Sequence, residues 1–129
     1  MGAGASALSG EGADVIGGKL TVEVASGHDL LAADGGMFSK KTSDPYVKVT
    51  LGSAVVAKSD VAKKDLNPVW NLSAEYNVGP RARKTPTLVF TVYDYDMVGS
   101  DDPLGAAEVP LKQLLGGAVF ERKLALQPC

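Results

Sequence analysis

With 129 residues, 45% of them apolar and 22% charged, the chain is long enough for one domain with a hydrophobic core. A formal charge of -2 argues against a general nucleic-acid binder, which is normally basic, though a local patch can differ in sign from the whole. Cys129 is the only cysteine and His28 the only histidine, which excludes an intrachain disulfide, zinc fingers, Cys/His pairs and Ser-His-Asp triads of ordinary spacing.

In chain order, residues 1–18 (MGAGASALSGEGADVIGG) are mostly Gly, Ala and Ser and read as a flexible leader. Its start fits the M-G-x-x-x-[ST] pattern of N-myristoylation, with Gly2 as acceptor and Ser6 at the last position; a chance match in a leader explains the same letters. From Lys19 the texture changes to period-two alternation, the mark of half-buried strands. Leu20, Val22 and Val24 share one face; Val47, Val49 and Leu51 alternate with Tyr46, Lys48 and Thr50; Leu88, Phe90 and Val92 share another. Further strands are expected in 53–61, 73–78, 104–111 and 121–127, with a short helical turn at 112–115. Turn formers separate them, among them Asp34-Gly35-Gly36, Asn67-Pro68 and Gly99 to Pro103. Seven short strands at near-regular spacing indicate an antiparallel β-sandwich. No apolar run approaches the roughly 18–20 residues of a membrane span, and no signal peptide is apparent, so membrane contact is expected to be peripheral. The near-absence of cysteine suits a reducing, cytoplasmic setting.

Aspartate gathers where the strands end. Asp94 and Asp96 form a D-x-D pair whose carboxylates project to one side of an extended chain. Asp102 follows across a loop that Gly99 and Ser100 allow to bend, and Asp34 and Asp44 bracket another Gly-rich loop. Calcium takes hard oxygen ligands, and short Asp arms on loops supply them without strict geometry. Aspartate also favours turns through local hydrogen bonds, so any one of these alone is equally a turn former.

The segments SDPYVKV (43–49), LNPVWN (66–71) and VYDYDMVGSDDPLG (92–105) resemble the signature segments of C2 domains, in order and at family spacing. The resemblance runs from Lys19 to about Gln127. It implies an all-β, antiparallel Greek-key sandwich of seven to eight strands that binds Ca²⁺ through Asp34, Asp44, Asp94, Asp96 and Asp102. Asp101 is an adjacent alternative for the last. One departure is the run between Asp34 and Asp44, which is longer than in synaptotagmin-like domains and similar to extended synaptotagmins and some plant C2 proteins.

Such a resemblance implies a module that, once calcium reverses the sign of its acidic cup, docks on anionic phospholipid membranes at their cytosolic face. Phosphatidylserine is the expected lipid. Met37, Phe38, Met97 and Val98 are apolar at loop tips, and each would gain about 1.5–3 kcal/mol in lipid unless it packs under its own loop. Lys40 and Lys41 beside the first tip suit anionic headgroups, at about 1 kcal/mol per charge. Tyr46, Lys48 and Lys58 match the phosphoinositide face of protein-kinase-C-like C2 domains, although Thr50, Val56 and Asp60 stand where more basic residues would help. A plain charged strand face is the alternative for these lysines. Trp70 and Pro68 read as structural. A C2 scaffold for a protein partner, with calcium in a structural role, is the competing functional class. No nucleophile has a matched base, so no enzyme activity is expected. The D-x-D run is not an EF-hand, because Val98 and Gly105 occupy ligand positions. Finally, the family occurs in two forms, with the extra strand before or after a shared seven. Residues 1–18 hold few β-formers, and the likeness of the run between Asp34 and Asp44 to extended synaptotagmins implies the form whose extra strand comes last. Seven strands are therefore expected here, with an edge covered by the leader or a neighbouring molecule, and an eighth beyond Cys129.

Overall fold

The computed structural model describes residues 2–10, 15–30, 43–82, 87–97, 99–110 and 120–127, and every regular element among them is a β-strand. The strands are β1 (Gly2–Gly10), β2 (Val15–Ser26), β3 (Pro45–Leu51), β4 (Ala54–Lys58), β5 (Val69–Ala82), β6 (Thr87–Asp94), β7 (Asp102–Pro110) and β8 (Phe120–Lys123). They form two four-stranded sheets, β5-β2-β1-β8 and β4-β3-β6-β7, paired antiparallel throughout.

The predicted alternation builds the core. Leu20, Val22 and Val24 of the first sheet meet Val47, Val49, Leu88, Phe90 and Val92 of the second, all at most 1% exposed. Burying rows of this kind from two sheets is what holds a sandwich together. In β4 the register slips between Val49 and Thr50, which lie opposite Ala57 and Val55, so Val56 is an extra residue. This bulge lets the consecutive Val56 and Ala57 both turn inward. Trp70 is half-buried against the core and donates its indole N–H to the Pro45 carbonyl at 3.3 Å.

The eighth strand lies at the other end of the chain from the one expected. Residues 2–10 pair with β2 from Gly2 opposite Ser26 to Gly10 opposite Ile16, and with β8 from Gly2 to Ala5. They are a sheet strand and not a leader, and β2 itself begins at Val15, before Lys19. Low strand propensity in Gly, Ala and Ser reflects how little their side chains pack. An interior position between two strands offers partners for backbone N–H and C=O groups on both edges, and that needs no particular side chain. The helical turn expected at 112–115 lies outside the described residues.

Antiparallel order brings three connections to one end of the sandwich, its mouth: β2 to β3 (loop one, described at 27–30 and 43–44), β4 to β5 (loop two, 59–68) and β6 to β7 (loop three, described at 95–97 and 99–101). Backbone hydrogen bonds stitch loop two to its neighbours, from Ser59 to Val47, Ala62 to Pro45, Asp65 to Ser43, Gly27 to Pro68 and Leu30 to Leu66, at 2.9–3.0 Å. The Asn67 side chain accepts the Asp29 amide at 2.9 Å, so LNP fixes the entry to loop one. At the second sheet's outer edge, Ala106 and Gln127 exchange two backbone hydrogen bonds of 3.0 and 2.8 Å.

Candidate functional site

Asp44 immediately precedes β3, Asp94 ends β6 and Asp102 opens β7. In register, Pro45 faces Asp94 and Asp94 faces Asp102, so three of the expected ligands form a row across neighbouring strands at the mouth. Asp94 continues the inward face of Leu88, Phe90 and Val92. It is a carboxylate, 4% exposed, at the end of an apolar row. Burying it requires partners, and its Oδ1 accepts the Asp44 amide at 2.7 Å. Asp44 Oδ1 in turn accepts the Lys64 amide at 2.7 Å, with Lys64 at a positive φ of 51°. Asp102 is exposed and lies directly opposite Asp94 in the register.

Asp96 is exposed on loop three. With Asp44, Val61, Lys63, Tyr95 and Met97 it lines a cleft of about 470 Å³. Met97, one of the four apolar residues expected at loop tips, is 84% exposed there. Among the described residues no three acidic side chains stand close enough to cage a metal ion. The donor set nevertheless suits a hard cation: two carboxylates line one cleft, and two more stand in the same row. Asp34, Met37, Phe38, Lys40, Lys41 and Val98 lie outside the described residues. Gly2 opens β1 opposite Ser26 and Lys123.

Tyr46, Lys48 and Lys58, the residues expected at a second lipid site, are neighbours on the outward face of β3 and β4, beside Tyr93 of β6. Tyr46 and Tyr93 stack with ring centres 5.4 Å apart and planes 20° from parallel. The Lys48 ammonium lies 5.3 Å from the Tyr93 ring centre and the Lys58 ammonium 5.0 Å from that of Tyr46. These are cation–π distances, and they hold both charges against the sheet. Sequence reading missed Tyr93, although it stands out of phase with the core row of its strand, as Tyr46 does in its own. Lys63 stands apart from this face and lines the acidic cleft.

Asp101 links the two regions. Its Oδ1 accepts the Asp96 amide at 2.9 Å, and its Oδ2 accepts the Tyr46 hydroxyl. Burial first, and then the bonded carboxylate, push the Tyr46 phenol far above its ordinary pKa. The Tyr46 hydroxyl, then the Asp96 amide, then the charges of Lys58 and Lys48 hold the Asp101 carboxyl below its usual range.

Two sheets with acidic connections at one end and a tyrosine–lysine face beside them define a class of protein. A model of the C2 domain matches residues 18–126, and the chain belongs to the C2 domain family. It is similar to tricalbin-3 of Saccharomyces cerevisiae, 34% identical over 109 residues that cover 84% of this chain and 7% of that protein. Synaptotagmin-1 of Caenorhabditis elegans is 37% identical over 113 residues, 86% of this chain and 25% of that one. The chain thus spans a quarter or less of these relatives' lengths. Among solved structures, the calcium-bound pair of C2 domains of extended synaptotagmin 2 superposes with a TM-score of 0.62 at 28% identity, covering 74% of this chain and 35% of that one. The C2 domain is a non-catalytic module. Among the described residues no helix is long and apolar enough to cross a membrane.

Proposed function

We propose that this domain is a calcium-dependent phospholipid-binding module that brings its protein to the anionic, cytosolic face of membranes. One observation carries the reading. The register of β3, β6 and β7 lines up Asp44, Asp94 and Asp102 at the mouth, beside a cleft that holds Asp96 and the exposed Met97. Calcium, which takes about six to eight oxygen ligands, would be held by these four aspartates with Asp34 and would supply positive charge and open positions for lipid phosphate oxygens. The chain's own contribution is to place like charges together, so that the empty mouth repels an anionic surface and the filled one attracts it. Met97, with Val98, Met37 and Phe38, is then presented to the bilayer, and Lys40 and Lys41 meet headgroups. Tyr46, Lys48 and Lys58 offer a second, flatter contact for a phosphorylated headgroup.

Sedimentation with phosphatidylserine-containing vesicles, with and without calcium, tests this directly. Pelleting only with calcium is expected, and Met97→Ala should weaken it by about 1.5–3 kcal/mol while calorimetric calcium binding stays as it was. A calcium-induced rise in melting temperature without vesicle binding would instead favour the scaffold for a protein partner. Pelleting that ignores calcium would end the proposal.

A further inference from the structure

We infer that Asp101 is a positioning residue, not a metal ligand: its carboxylate braces the backbone of Asp96 against the Tyr46 hydroxyl on β3. This rests on the reading of Asp96 as a calcium ligand. The Asp96 amide donates to one Asp101 oxygen at 2.9 Å, and the Tyr46 hydroxyl donates to the other. Tyr46 is a firm anchor. It is 5% exposed, stacked on Tyr93 and lies under the Lys58 ammonium, one residue from the Pro45–Asp94 pair. Asp96, by contrast, lies past the end of β6, in a loop that reverses through Gly99 at a φ of 93°. The brace therefore passes the rigidity of a paired strand to a residue outside the ladder, and so sets where Asp96 stands across the cleft from Asp44. A carboxylate with both oxygens accepting protein donors is poorly placed to offer the same lone pairs to a cation. Asp102 takes no part in the brace and stands in the row opposite Asp94.

The test pairs calcium calorimetry with amide hydrogen exchange at Asp96 in calcium-free protein, read by NMR, so that folding is seen in the same spectra. Tyr46→Phe keeps the ring and every charge but removes one donor. It should speed Asp96 exchange and weaken calcium binding about tenfold, the weight of a hydrogen bond to a charged group. In Asp101→Asn the amide oxygen still accepts from Asp96 and the amide nitrogen donates to the tyrosine oxygen. Exchange should stay near wild type, and affinity should fall no more than about fivefold, the effect of one nearby surface charge. Asp101→Ala should show both losses together. Asp102→Asn should weaken calcium binding and leave Asp96 exchange unchanged. An Asp101→Asn variant as deficient in calcium as the alanine variant would make Asp101 a ligand, and Asp96 exchange unchanged in Tyr46→Phe would remove the brace. If the wild type binds no calcium, the proposed function falls, while the exchange rates still decide the brace.

Discussion

The two sheets turn chemically different faces to solvent. On the sheet of β2 and β5, Lys19 and Glu75 form an ion pair at 2.6 Å, both more than half exposed, among Asn71, Ser73 and Asn77. On the sheet of β3, β4 and β6, Lys48 and Lys58 lie on tyrosine rings, and the acidic row closes the same sheet at its mouth. Both faces come from the same period-two alternation, so the pattern that makes a strand does not decide which face is used. What differs is the partner. A lysine paired with a carboxylate is neutralised, and at an exposed site the pair is worth about 0–1 kcal/mol. A lysine on an aromatic ring is held in place with its charge intact. The sheet of β3, β4, β6 and β7 is thus the chemical one, and the other completes the core.

Changes on the two sheets should therefore fail in different assays. The largest effect is expected from Asp94→Asn combined with Asp96→Asn. Calcium binding by calorimetry should disappear, and with it the stabilisation of about 2.7 kcal/mol that a hundredfold excess over Kd confers, while the fold survives. Leu20→Ala, in the core row of β2, should do the reverse. It should cost about 2–5 kcal/mol in denaturant unfolding and leave the calcium affinity of the folded fraction as it was. Lys48→Gln and Lys58→Gln should each weaken binding to anionic vesicles by about 1 kcal/mol, with no change in calcium binding in solution. Lys19→Gln should be the smallest, within about 0.5 kcal/mol in stability and silent in vesicle binding. A loss of vesicle binding from Lys19→Gln equal to that from Lys48→Gln would erase the distinction between the faces.

Much of this was legible in the sequence wherever side chains decide the structure. The alternation in 45–51 predicted β3 over the residues it occupies, and Leu88, Phe90 and Val92 proved to be the buried row of β6. Strand β1 was not legible, because it is held by backbone pairing, along its length to β2 and over Gly2–Ala5 to β8, and its small side chains leave no hydrophobic pattern. At the site, the resemblance to C2 domains pointed to Asp34, Asp44, Asp94, Asp96 and Asp102, and the four of these among the described residues lie at one end of one sheet. That Asp94 is buried and Asp96 exposed follows from where the ladder stops, which spacing alone does not give. The contacts of Asp101 with Tyr46 and of Lys58 with the Tyr46 ring are cross-strand, set by register between segments more than ten residues apart.

The pairing of Ala106 with Gln127 has a consequence for solubility. A bare strand edge is a template for another chain, and here Gln127, with Leu126 beside it, pairs with Ala106 at the outer edge of β7. They come this close because Gly105 has no side chain: a Cβ there would stand 2.9 Å from the Leu126 Cβ and 3.2 Å from the Gln127 carbonyl oxygen. Gly105→Ala would lift this flap, and the exposed edge should then recruit a neighbour, seen as a concentration-dependent dimer or aggregate in light scattering while the mouth, at the opposite side of Gly105 along β7, keeps its aspartates in line.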